Sequence, residues 1–347
     1  MFKIATVFAV SVLLCAAALG AQTEESVAEE VVTFEPANRV QTVNPKFPYS
    51  RQVAGREGWV RLNYMIDATG KPYDLVVAES SDDTRFEAAA IQAVEQFRYE
   101  PAVLNGQPID SGTSLMITFA LSGGKPGATD KFVRRYSAFE RALKKEDRSK
   151  ADDLLAKLVD RRQNLYEEAY MQLAKYRYAQ KWGNEWDEYQ ALARATAMDG
   201  DRGFLPDDAL FVMTQLTLEL ELKLNYLARA LGTISRLRKM SDDAEHHAIW
   251  TGIEAQIDTI KNEGKPFSNR HVVGSSNSTV YKLLHSSFSL APVGDGELSE
   301  LRLHCDKGSV GFGFDPEIRY EVNRKWQNCG LIVIGTPGTE IMVRDGG

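Results

Sequence analysis

The hydrophobic period of this chain changes twice, and that change constrains the fold more than any single motif. Between 59 and 121 apolar residues recur mainly at every second position, apart from one helical stretch. Between 130 and 264 they recur three or four apart, and after 266 a β-type, glycine-rich pattern takes over. A strand buries alternate residues and a helix buries one stripe, so sheets and helices must occupy separate stretches of the chain. The expected class is α+β: a small β-β-α-β domain, then an α-helical hairpin array, then a small β-rich module. A length of 347 residues, 44% of them hydrophobic, is material for two or three cores.

The first block is the most specific. Val60, Leu62, Tyr64 and Ile66 share one face of a strand while Arg61 and Asn63 point to the other. Ala68-Thr69-Gly70 turns the chain, and Tyr73, Leu75 and Val77 mark the returning strand of a hairpin. A helix over 84–98 follows, with Phe86, Ala90, Ala93, Val94 and Phe97 on one side and Asp82 or Asp83 as its N-cap. After the Asn105-Gly106 turn, a last strand runs through Ser114, Leu115, Met116, Ile117, Thr118, Phe119, Ala120 and Leu121. The breakers between Ser122 and Gly127 close this domain, which spans about 44–124.

From 130 to 264 the chain reads as helices, broken near Asp147, Gly183, Gly200 and Ser241. Leu210, Met213, Leu216, Leu220 and Leu224 predict one apolar helix face whose spacing runs on to Leu227 and Leu231. The small and aromatic stripe Tyr166, Ala169, Tyr170, Leu173 and Ala174 resembles tetratricopeptide-like hairpins, although no clean copy of that repeat is present. The last region, 266–347, predicts short strands over 298–304, 310–314, 318–322 and 331–334.

Lys3 followed by an apolar run over 4–19 reads as an export signal, residues 1–20, with cleavage between Gly20 and Ala21 or, in competition, after Ala18. The alternative is an uncleaved inner-membrane anchor. Either way the body faces the periplasm, joined by an acidic linker over 21–43. Loss of Cys15 with the signal leaves Cys305 and Cys329, an even pair in an oxidising space. A disulfide is expected, with two buried thiols as the alternative. A net charge of -7 speaks against broad attraction to nucleic acid and leaves protein partners as the better expectation.

The order and wording of the first block resemble the C-terminal domain of the TonB family. Phe47-Pro48-Tyr49 and Gly58-Trp59-Val60 fit the opening of that pattern. Ile66-Asp67-Ala68-Thr69-Gly70, Glu79-Ser80-Ser81, Phe86-Glu87-Ala88-Ala89-Ala90 and Phe97-Arg98-Tyr99-Glu100-Pro101 follow in the same order. Asn105-Gly106-Gln107-Pro108 and Ile117-Thr118-Phe119 complete it. The resemblance implies a module that grips the periplasmic side of outer-membrane TonB-dependent receptors, pairing its last strand, 114–121, with an extended receptor segment. It also implies energy-dependent transport, with inner-membrane proton-driven motor subunits as further partners if the chain is anchored.

The sequence departs from that family in three respects. The domain comes early instead of last, and the linker over 22–43 reaches at most about 80 Å when fully extended. The apolar N-terminal stretch also lacks the histidine expected of a motor-coupled anchor. A periplasmic scaffold that keeps the binding domain without transducing energy is therefore the rival expectation. Catalysis, metals and cofactors are not expected. The five histidines lack ligand spacing, and the glycines over 308–313 lack the Lys-Ser/Thr and helix of a phosphate loop.

Overall fold

The 59–66 alternation forms the central strand of a small sheet whose surroundings are richer than its sequence suggests. The computed structural model describes residues 33–123, 126–199, 203–323 and 325–347, so the expected export signal and the expected Gly20–Ala21 junction lie outside the described residues. The first block comprises β1 (Phe34–Glu35), β2 (Asn38–Gln41), α1 (Tyr49–Val53), β3 (Gly58–Ile66), β4 (Pro72–Ser80), α2 (Thr84–Val94), β5 (Arg98–Glu100), β6 (Ala102–Leu104), β7 (Gln107–Ile109) and β8 (Ser111–Phe119). Antiparallel β4, β3 and β8 form one three-stranded sheet in that order. α2 covers one face of it, burying Phe86, Ala90, Ala93 and Val94 against Val60, Leu62, Tyr64, Ile117 and Phe119. Asp83 caps α2 by accepting from the Arg85 N–H at 3.1 Å.

Three boundaries differ from the sequence expectation. Part of the expected linker is ordered: β1 pairs with β6 and β2 pairs with β5. These strands are too short and polar to announce themselves and exist through their partners. α2 stops at Val94, because Phe97 turns its ring into the core from outside the helix. β8 runs from Ser111 to Phe119, so Ala120 and Leu121 fall beyond its end.

Among the described residues seven helices follow: α3 (Asp130–Lys144), α4 (Arg148–Asp160), α5 (Leu165–Trp182), α6 (Glu185–Asp199), α7 (Asp207–Lys223), α8 (Leu227–Met240) and α9 (Ala244–Asn262). The starts of α3, α4, α5 and α9 are set by Thr129, Asp147, Asn164 and Asp243, whose side chains accept from the first free N–H groups of those helices. The leucine spacing that runs past Leu224 spans two helices, not one. Asn225 adopts a φ of 60° there, and the chain turns before Leu227 opens α8. Among the described residues, no helix is long and apolar enough to cross a membrane.

The C-terminal strands are β9 (Phe267–Val272), β10 (Ser278–Lys282), β11 (Ser287–Val293), β12 (Leu298–Cys305), β13 (Gly308–Gly313), β14 (Tyr320–Glu321), β15 (Gly330–Gly335) and β16 (Glu340–Asp345). They form two four-stranded sheets, ordered β10-β15-β12-β13 and β14-β11-β16-β9. Leu301, Leu303, Leu331 and Val333 of one sheet share a core with Phe288, Leu290, Ile341 and Val343 of the other, which makes the module a β-sandwich. Cys305 and Cys329 are joined in a disulfide with a Cα–Cα distance of 4.1 Å. Fully buried Asp345 accepts from the Tyr281 hydroxyl at 2.7 Å and from the Leu284 and His285 N–H groups at 2.9 Å, and His285 Nδ1 lies 3.0 Å from the same carboxylate.

Residues Thr33–Gly347 form one compact unit, and the main core crosses the boundaries read in the sequence. Trp59, fully buried, belongs to the same cluster as Leu165 and Ala169 of α5, Leu192 of α6 and Leu303 of β12. The face of β3 that the alternation assigns to Arg61 and Asn63 is thus turned toward helices and the sandwich, not toward solvent.

Candidate partner-binding edge

β8 is an edge strand in the order β4-β3-β8. The direction of its backbone groups follows from Trp59. That residue gives its N–H to the Ser81 hydroxyl at 3.2 Å, and its C=O accepts from the Ser81 N–H at 2.9 Å, so both backbone groups point toward the β4 side. Trp59 sits opposite Thr118, and antiparallel pairs alternate, so Thr118, Met116, Ser114 and Gly112 direct their N–H and C=O away from β3. The intervening Leu115, Ile117 and Phe119 turn their side chains toward α2. The sheet therefore keeps its own core while offering one strand edge.

Both ends of that edge are held. A Cβ placed on Gly112 would lie 3.0 Å from the Cys305 carbonyl oxygen, so a larger residue would need the sandwich to give by a few tenths of an ångström at β8. Nearby, Asp74 adopts a φ of 48° and receives His304 Nε2 at 2.6 Å as well as an ion pair from Arg302. The His304 bond, followed by the charges of His304 and Arg302, holds the Asp74 carboxyl below the usual range against the opposing effect of burial. The Tyr73 hydroxyl donates to Asp110 at 2.7 Å and lies 3.1 Å from that of Ser309. At the other end, Glu57 accepts from the N–H of Leu121 at 2.8 Å and of Leu165 at 3.0 Å, tying the chain after β8 to α5. Arg162 donates to the Ser81 carbonyl at 2.5 Å, and Arg194 pairs with Asp82 at 2.9 Å.

Ser114, exposed, marks the accessible middle of the edge. It opens on a cleft of about 600 Å³ between the sheet, α6 to α8 and the sandwich. Of the predicted strand residues, Ser114, Leu115, Met116, Ile117, Thr118 and Phe119 lie in β8, whereas Ala120 and Leu121 follow it. Met116 packs against the cross-boundary core, so its side chain is committed to the interior.

Residues 43–121 match the family model described as Gram-negative bacterial TonB protein C-terminal. This segment is a TonB C-terminal-type domain. The Protein TonB of Vibrio cholerae serotype O1 is 26% identical over 95 residues, a match covering 27% of this chain and 39% of that protein. The chain thus spans well under half the length of that curated relative. The solution structure of the Pseudomonas aeruginosa TonB C-terminal domain is 25% identical, covering 26% of this chain and 92% of that one with a TM-score of 0.24. The TonB2 protein from Vibrio anguillarum is 30% identical, covering 24% and 81% respectively, with a TM-score of 0.21.

In this TonB-type domain the second face of the sheet was the part missed from sequence. Trp59 was the available signal: a tryptophan on a nominally polar face needs a cover. The charged residues lining the cleft from outside the domain, Glu221, Arg229, Arg236, Lys282 and Asp306, carry no motif at all. Among the described residues no group of His, Cys, Asp and Glu is placed to hold a metal ion. The histidines are dispersed: His271 is buried and pushed down to about 3 by desolvation, and His246 stacks on Trp250 at 5.6 Å.

Proposed function

We propose that this chain is a periplasmic TonB-family protein that binds outer-membrane TonB-dependent transporters through β8 and takes part in energy-dependent transport across the envelope. The observation that carries the reading is the outward row of backbone groups at Gly112, Ser114 and Met116, inside a segment that matches the TonB C-terminal family. An extended transporter segment laid beside β8 gains main-chain hydrogen bonds from that row. Motor subunits of the inner membrane are partners in this reading if the N-terminal segment stays uncleaved as an anchor.

A second reading, a periplasmic scaffold that binds without transducing energy, draws support from one feature. The sheet face carrying Trp59 is built into a core shared with the helices and the sandwich. A domain held this firmly suits docking between envelope proteins as well as it suits traction. Both readings begin with capture of transporters from envelope extracts by the full chain. Uptake then separates them: in a deletion strain, proton-driven uptake through the captured transporter collapses under the first reading and persists under the second. Failure to recover any transporter with the wild-type chain contradicts both.

A further inference from the structure

The cleft beside β8 is more than the margin of an edge strand. Its far wall is one face of α8, where Arg229, Gly232, Thr233 and Arg236 line it at helical spacing, while β10 contributes Lys282. Its volume of about 600 Å³ falls within the range of small-molecule sites.

Three features of the lining point to a ligand. First, polar atoms stand buried with no hydrogen-bond partner: Arg229 Nε and the Tyr189 hydroxyl, which donate, and Glu221 Oε2, which accepts when ionised. Tyr189 and Glu221 are only 2% and 4% exposed, so bulk water offers them little compensation. Second, positive charge is in surplus on this wall. Arg61 has Glu79 as its ion-pair partner at 3.5 Å, but Arg229 and Lys282 have no carboxylate at ion-pair distance among the described residues. Burial, and next the charge of Arg229, push the Lys282 ammonium below its usual range, and the opposing charges of Asp306 and Glu221 do not restore it. Third, Gly232 sits inside α8, where glycine costs about 1 kcal/mol relative to alanine. A Cβ there would meet nothing within 4 Å, so no close neighbour demands the glycine and its position keeps the cleft open.

We infer that this cleft binds a small hydroxylated oxyanion, either a hydroxy acid or a sugar phosphate. Arg229 and Lys282 hold the anionic oxygens, the Tyr189 hydroxyl donates a further bond, and Glu221 accepts from a ligand hydroxyl. The inference does not depend on the transporter reading, since none of these residues belongs to β8.

Titration calorimetry of the full exported chain, in a buffer free of multivalent anions, tests it with citrate and glucose 6-phosphate as probes and glucose as the neutral control. Saturable binding of one or both anions, and none of glucose, is expected, and which anion binds separates the two ligand sources. Arg229→Gln should weaken that binding at least tenfold. Gly232→Leu should abolish it while circular dichroism stays unchanged, because leucine favours the helix and only occupies the cleft. No saturable binding of either anion, equal binding of glucose, or undiminished binding by the folded Gly232→Leu variant would overturn the assignment.

Discussion

At the residue scale, two carboxylates report on how the TonB-type domain is joined to the rest of the chain. Burial raises Glu221 to about 7, although Thr233 and nearby cations pull in the opposite direction. A carboxyl with a raised folded pKa keeps its proton in the native state after the unfolded chain has lost it, so stability falls as pH rises from about 4.3 to about 7. Glu221→Gln removes that dependence. It should leave the thermal midpoint near pH 4 almost unchanged and raise it at pH 8, which paired melts at the two pH values will measure. Asp74 behaves oppositely. Its carboxyl is held low by the His304 bond, so its stabilisation is complete above the ordinary carboxylate range and fades as pH falls through the depressed value. Asp74→Asn should weaken the clasp between the hairpin and the sandwich and cost about 1–3 kcal/mol in denaturant melts at pH 7, converging on wild type in strong acid.

At the element scale, β8 has one committed side and one offered side, and proline distinguishes them. Ser114→Pro removes an outward N–H and leaves the bonds to β3 in place. The expected result is a folded protein whose affinity for peptides from the periplasmic segments of TonB-dependent transporters drops at least tenfold in fluorescence anisotropy. Unfolding of the variant would place Ser114 N–H inside the ladder, against the geometry set by Trp59. This element was legible in sequence because Leu115, Ile117 and Phe119 alternate, and alternation survives translation into structure directly. The hairpin, the Asp83 cap and the helix starts were legible for the same reason, each being a local rule. What escaped was non-local. β1 and β2 exist only because β6 and β5 lie beside them, and Arg61 reads as a solvated residue until Ala197 of α6 supplies its carbonyl at 3.3 Å. The cleft escaped for the same reason, since Arg229, Lys282 and Glu221 are brought together from three separate elements.

At the scale of the whole molecule, three sequence blocks become one body. The Cys305–Cys329 bond lies where the sandwich meets β8, and it closes a loop with a sequence separation of 24. In the chain-entropy account a loop of that size stabilises by about 3–4 kcal/mol, so Cys305→Ser with Cys329→Ser should lower stability by about that amount. Calorimetric melts of the double variant will check this, and an unchanged midpoint would show that the strands hold the junction unaided. The central claim is that a partner strand adds to β8, and the most direct measurement is residue-resolved amide hydrogen exchange on the full chain with and without a saturating transporter peptide. The account predicts new protection at Gly112, Ser114 and Met116, the outward members of the strand, with little change at Leu115 and Ile117, whose amides already bond to β3. A bound peptide that leaves those three amides exchanging as before, or that protects a different strand, would contradict it.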